Sequence, residues 1–476
     1  VIRRSIHRLT TILTCALFLA LAASGAGVKE TGLDRYVHAP DPNYKYELVK
    51  TIPGKGYTMY VIDMTSQAWR TAAEVNHPIW KHWLVIIKPD EVKTTTGFLF
   101  ITGGSIDEKT PSRANPLDVE MAMTTHSVVS ELRGIPNEPL VFADDPKPRT
   151  EDQIIAYTWA KYLKTGDETW PLRMPMTKAS VRAMDTVTSF CATDAAGKVK
   201  VDKFYVAGGS KRGWTTWTTA AVDKRVIAIS PLVIDLLNSR KSFEHHYQAY
   251  GFYSPAVKDY EDMGIMTITN TPQYIKLMDL VEPYSYRARF TMPKLIVNSA
   301  GDQYFLPDSS QFYFKDLPGE KYLRYVPNTN HSLSQNGDAR ESVLAFYDAV
   351  VRGYPRPKFS WKFEKNGDIK VTSVDKPTEV KLWVATNPEK RDFRLLSIGP
   401  AYKSSPIAGS GNVYVGHIEK PAKGWSAYFV ELTYPSGGKY PFTFTTAVRV
   451  YPDTLPFPKP NPHGKIEDLP APSAAH

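Results

Sequence analysis

Cysteine is almost absent: the 476 residues hold two, Cys15 and Cys191. Cys15 lies inside an apolar run near the N-terminus, and Cys191 by itself closes no internal disulfide, so the fold must rest on its core. Cys191 follows Phe190 in a helical pattern, where a thiol reads as a small buried hydrophobe. Metal-binding patterns are missing as well. No His-Glu-x-x-His and no paired cysteines accompany the adjacent His245 and His246, which point in different directions on a helix. The sequence therefore implies no metal and no other cofactor. The net charge is +9, yet no basic cluster interleaved with aromatics marks a nucleic-acid surface, and the charge reads as solubility. No apolar run reaches the roughly 20 residues that span a bilayer. The longest, at 9–23, follows Arg3, Arg4 and Arg8 and precedes small residues at 23–26. That is the pattern of a secretory signal peptide over residues 1–26, not of a stable membrane anchor, and places the mature chain outside the cytoplasm, secreted or periplasmic.

Aromatic residues, by contrast, are plentiful: 27 Tyr, 20 Phe and 10 Trp, enough for a deep core and an aromatic cleft. The length exceeds one ordinary domain. From "KHWLVIIKPDEVKTTTGFLFITGG" at 81–104 onward, apolar runs alternate with helical patterns. "KFYVAGG", "RVIAISPLVID", "MPKLIVNSAGDQ" and "KYLRYVPNTNHS" read as strands, the near-continuous runs among them suiting a parallel sheet covered on both faces. "RTEDQIIAYTWAKYL" reads as a helix whose Thr150 and Gln153 form a capping box. Together they predict a doubly wound α/β domain over 27–357. Residues 238–290 break the rhythm with "FEHHYQAYGFYSPAVKDYED", expected to be a helical, aromatic insertion over the mouth of a site. Beyond Pro357 the runs alternate apolar and polar residues between turns, which predicts a separate Ig-like β-sandwich at 358–453. The proline-rich end, 454–476, is expected to be disordered.

In "KFYVAGGSKRGWTTW", residues 203–217, a strand runs through two glycines into a serine and then a helix-forming stretch. Glycine on both sides of a hydroxyl suits a sharp, strained strand-to-helix turn, so Ser210 is the candidate nucleophile. A serine needs an imidazole to take its proton, and the imidazole a carboxylate to fix its tautomer. In the order nucleophile, acid, base, each after an apolar strand, Asp302 and His331 fill the remaining places. Asp308, in "FLPDSS", and Asp235, at the end of the preceding strand, are rival acids. The backbone N–H of Lys211 and one from Gly104 or Ser105, after "FLFITGG", are the candidate oxyanion donors. Lys211 and Arg212 sit at a helix N-terminus, which disfavours cations, and are expected to pair with acids. Tyr250 and Tyr253, in the insertion, are the candidate substrate contacts.

The motifs "WKHWL", "ITGG", "EDQIIAYTW", "MPMTKASVRAMD", "GGSKRGWTTW", "EPYSYRARFTMPKLIVNSAGDQYFLPDSS" and "PNTNHSL", spread over about 80–335, resemble those of the PhoPQ-activated pathogenicity-related proteins, a group within the α/β-hydrolases. The resemblance implies an exported serine-hydrolase fold with Ser210, Asp302 and His331 at the triad positions, and no particular substrate. Arg212 stands where most hydrolase elbows have glycine, with Gly213 one residue later, and Glu282 where the family more often has Asp. The reading that follows is a metal-independent hydrolase forming an acyl-enzyme on Ser210 to cleave an ester or amide of a small molecule or peptide, a peptide slightly ahead of a carbohydrate or lipid ester. A binding or signalling protein that keeps the fold without turnover is the alternative. The oligomeric state is not legible.

Overall fold

The computed structural model describes residues 29–335 and 338–470. The expected signal peptide and the last six residues lie outside the described residues. Among those described, no helix is long and apolar enough to cross a membrane.

Six parallel strands carry the centre of the sheet, side by side in the order Val129–Leu132, Thr96–Ile101, Lys203–Gly209, Val226–Leu232, Lys294–Ser299 and Lys321–Val326. Every residue from Lys294 to Ser299 is buried, as a strand covered on both faces requires. Lys45–Gly54, Tyr57–Ala68 and Ile79–Pro89 extend one side as antiparallel neighbours. Apolar side chains collect on both faces of the sheet. One cluster holds Trp159, Trp214, Trp217 and Ile296, the other Phe98, Tyr205, Val297 and Phe346. Cys191 is buried in the first, its thiol pushed up to about 12 by burial. This is a mixed α/β fold around a large central sheet, as expected.

The C-terminal strands depart from expectation. Phe442–Thr445 pairs with Lys321–Val326 through Leu323 and Thr445, and Trp425–Tyr434, Glu379–Asn387 and Lys403–Pro406 continue the same sheet outward. A second layer of Phe359–Phe363, Ile369–Ser373 and Val413–Gly416 lies apart, and its Ile369, Val371 and Tyr414 share a core with Val380, Leu382 and Val430. Tyr322 and Phe444 stack at 4.2 Å across what was expected to be a domain boundary. Two facing β-layers are present, but one is continuous with the α/β sheet, so 358–453 is no separate Ig-like sandwich. Period-two alternation identifies a half-buried strand without naming its neighbour.

The insertion is helical, with Ser239–Tyr250, Lys258–Asp262 and Pro272–Val281, and Trp214 donates its indole N–H to Val281 O at 2.7 Å. The proline-rich end was expected to be disordered; instead, as far as residue 470, it lies along this insertion. Phe457 N–H donates to Gln248 O, Gly464 N–H to Thr267 O, and Lys164 Nζ to Leu469 O at 2.8 Å. Proline removes donors but leaves carbonyls and ring faces to pack, and an extended chain needs no partner strand to be held.

Candidate active site

The Lys203–Gly209 strand passes into the Lys211–Val222 helix through Ser210, whose φ of 57° and ψ of −124° L-residues seldom adopt. Neighbouring glycines permit the close approach this requires. A Cβ on Gly208 would stand 2.7 Å from Arg212 O, and one on Gly213 would stand 2.9 Å from both the Ile234 side chain and Leu232 O. Gly213 thus does the packing expected of a glycine at 212, and the largely buried Arg212 side chain packs against Gly103, where a Cβ would meet its guanidinium at 2.5 Å. Ser210 N–H donates to Leu232 O at 2.8 Å, pinning the turn to the next strand.

Asp302 and His331 come together from the loops after the next two strands. Asp302 Oδ2 lies 2.8 Å from His331 Nδ1, and its Oδ1 accepts the Tyr304 N–H at 2.7 Å. The His331 N–H donates to Gln303 Oε1 at 3.1 Å, and the Tyr304 ring lies 4.3 Å from the imidazole. With a carboxylate on Nδ1, the proton of the neutral ring belongs there and Nε2 is the free base. Nε2 is buried and, among the described residues, has no hydrogen-bond partner; Ser210 Oγ is not bonded to it in this structure.

The rival acids have other partners. Asp308 is bonded by His245 Nε2 at 3.0 Å and by Arg391 at 2.6 Å. Burial alone would raise its carboxyl, but Arg391 and His245 outweigh this and hold it well below the usual range. Asp235 accepts the hydroxyls of Tyr313 and Tyr325, each at 2.6 Å, and burial pushes it up to about 8. Neither reaches His331. His246 Nε2 accepts the Ser254 N–H at 2.9 Å, so each of the adjacent histidines serves the insertion.

Gly104 has a φ of 150°, and a Cβ there would lie 2.7 Å from Glu108 Oε2. Among the described residues, the backbone N–H groups of Gly104, Ser105 and Lys211 have no acceptor. The Gly103–Ser105 turn borders an open cleft of about 570 Å³ with Glu131 and Arg133 on its wall, and the exposed Ser105 hydroxyl accepts the Asp107 N–H at 3.2 Å.

Both cations beside the elbow are paired, as their place at a helix N-terminus demands. Lys211 Nζ contacts Glu151 and, at 3.0 Å, Asp152. Arg212 makes two bonds to Glu151, at 3.0 and 2.7 Å, and Arg173 donates to Lys211 O at 2.9 Å. Burial opposes ionisation of Glu151, but Lys211 and Arg212 pull its carboxyl low, while burial and the Glu151 charge push Glu138 up. The Thr150–Gln153 capping box does not form: Thr150 makes no side-chain cap bond, and Glu151 takes a φ of 53° that turns it toward the cations. Glu151 was missed in the sequence as part of the elbow. Its only signal was an acid pair opening one helix and a base pair opening another, about sixty residues apart.

Tyr250 and Tyr253 separate. Tyr250, a candidate substrate contact, is instead buried beneath Arg394, whose guanidinium lies 4.8 Å from its ring. Tyr253 is half-buried beside Phe243 and Tyr247, and the next residue, Ser254, donates to Gln303 O at 2.6 Å, which docks this turn on the Asp302 loop.

A strand ending in a positive-φ serine and a helix, within the parallel centre of a mixed sheet, is the architecture of the α/β-hydrolase class. The chain belongs to the PhoPQ-activated pathogenicity-related protein family, whose model matches residues 33–394. It is 38% identical over 470 residues to the autocrine proliferation repressor protein A of Dictyostelium discoideum, covering 93% of this chain and 94% of that relative. Solved structures similar to it include an acetyl xylan esterase from Paenibacillus sp. R4, at a TM-score of 0.48 and 15% identity over 68% of this chain and 95% of the esterase. An acylaminoacyl peptidase of Pyrococcus horikoshii has a TM-score of 0.40 and 13% identity over 65% of this chain and 49% of the peptidase.

Proposed function

We propose that the protein is an exported serine hydrolase that cleaves an ester or amide through an acyl-enzyme on Ser210. The observation that carries this reading is a strained elbow serine after one parallel strand together with, from the loops after two further strands, an imidazole whose Nδ1 is held by Asp302 at 2.8 Å and whose Nε2 has no partner among the described residues. His331 Nε2 takes the Ser210 proton as Oγ attacks the acyl carbon, Asp302 stabilises the imidazolium, and the N–H groups of Lys211 and of Gly104 or Ser105 receive the developing oxyanion. The imidazolium then protonates the departing alcohol or amine. Water, activated by the same base, releases the acyl group. No step requires a metal or cofactor. The substrate is a small ester or, slightly ahead of carbohydrate and lipid esters, a peptide; Tyr253, on the turn docked against the Asp302 loop, is the aromatic contact.

A second reading has one observation behind it. The full-length relative bears the name of an autocrine proliferation repressor, which favours a signalling protein that keeps the hydrolase fold without turnover. Fluorophosphonate labelling of the purified protein separates the two. An active hydrolase is labelled on Ser210, and Ser210→Ala and His331→Ala abolish the label; a wild-type protein that folds but takes no label returns the reading to signalling.

A further inference from the structure

On the face of the sheet opposite the elbow helix, the helices Pro116–Thr125 and Asp338–Arg352 enclose a cavity of about 250 Å³ that none of the triad residues lines. Its floor is apolar, with Phe98, Phe100, Met121, Leu232 and Leu344. A single carboxyl, Asp118, interrupts that floor. Asp118 is 8% exposed, and among the described residues no hydrogen bond reaches it. The Arg340 and Arg133 charges draw the carboxyl down without bonding to it, burial outweighs them, and a carboxyl so placed without a hydrogen bond favours a ligand that supplies a donor.

The charges around the cavity define the ligand. Glu120 and Glu341 join Asp118 in its lining against one guanidinium, Arg340. Lys439 pairs with Glu120 at 2.6 Å, and Arg133 is engaged by Glu108 and Glu131. With Glu120 neutralised by Lys439, two carboxyls, Asp118 and Glu341, remain against the single Arg340 at an apolar, concave site, the composition that holds a hydrophobic ammonium ion. We propose that this cavity binds a small ligand with an apolar body and a primary ammonium group, the ammonium on Asp118 and the body against Phe98, Phe100, Met121 and Leu344. Burial first, and the neighbouring Glu131 charge second, push the Asp118 carboxyl up to about 7 against the opposing Arg133 and Arg340 charges, and a bound cation would offset the rise.

The site is separate from the chemistry at Ser210, and the test keeps the two apart. Phenethylamine is titrated into the full-length protein by calorimetry, with the similarly shaped anion 3-phenylpropionate as control. Saturable one-to-one binding of the amine is expected, weakened at least tenfold by Asp118→Asn and by the cavity-filling Met121→Phe, unchanged in Ser210→Ala, and absent for the anion. Circular dichroism confirms that each variant folds, and should Asp118→Asn fail to do so, Met121→Phe decides. No binding of the amine to wild type, equal affinity for the anion, retained affinity in the folded variants, or loss of binding in Ser210→Ala would each overturn the assignment.

Discussion

Two aspartate–histidine pairs lie within one part of the molecule and use the same chemistry differently. In one, Asp302 holds His331 by Nδ1 at 2.8 Å and, among the described residues, nothing else charged touches the carboxylate. In the other, Asp308 holds His245 by Nε2 at 3.0 Å and is also neutralised by Arg391 at 2.6 Å. The third partner separates them. An arginine beside the carboxylate makes it a closed ion pair that locks the insertion to the C-terminal region, whereas an aspartate with only an imidazole and a backbone N–H is free to stabilise a positive charge that comes and goes. Which ring nitrogen faces the acid matters equally, because only the His331 arrangement leaves Nε2 for a hydroxyl.

Exchanging the histidines gives the largest contrast. His331→Ala should lower turnover at least about a thousandfold with little change in melting temperature, while His245→Ala should leave kcat within a fewfold and destabilise the fold. Steady-state kinetics and thermal melts on the two variants check this, and equal loss of turnover in both would erase the distinction. Exchanging the acids follows. Asp302→Asn should cost about a thousandfold or more in kcat, as expected when an imidazole is held in the wrong tautomer. Asp308→Asn leaves Arg391 buried beside a neutral amide, and should instead cost about 3–5 kcal/mol of stability, read by urea denaturation, with activity of the folded fraction retained.

The smallest effect concerns Asp235, the acid with only tyrosine partners. Its folded carboxyl is raised to about 8 from an ordinary value of 3.8. The folded state keeps the proton where the unfolded chain has lost it, so this contribution to stability is full below about pH 3.8 and is lost as pH rises through about 8. Asp235→Asn, which cannot ionise, should flatten the fall of melting temperature between about pH 4 and 8. An unchanged slope in the variant would show that the fall originates elsewhere.

Much of the site was legible because its parts are local. Glycines packed around a serine, and apolar strands ending at an aspartate and a histidine, are written in contiguous residues, and the order along the chain reflects sheet topology. Glu151 was not legible in this way. Its pairing with Lys211 and Arg212 joins two helix starts remote in sequence, and the capping residues around it carried a plausible local reading that the tertiary charges overrode. Tyr250 failed for a related reason: an aromatic-rich segment announces burial somewhere, but whether a ring meets solvent or Arg394 depends on what folds over it.

The sequence by itself determined the alternation of strands and helices, the buried parallel strands, the elbow and which residues are candidates there, since periodicity, glycine placement and residue chemistry act over a few residues. Only the tertiary structure decided that the C-terminal strands extend the central sheet, that the proline-rich end lies along the insertion, which acid meets which histidine, and that Asp118 faces a cavity without a partner. Each of these depends on the free energy of contacts between segments far apart in the chain, where edge pairing, desolvation and ion pairing compete, and no local pattern records the outcome.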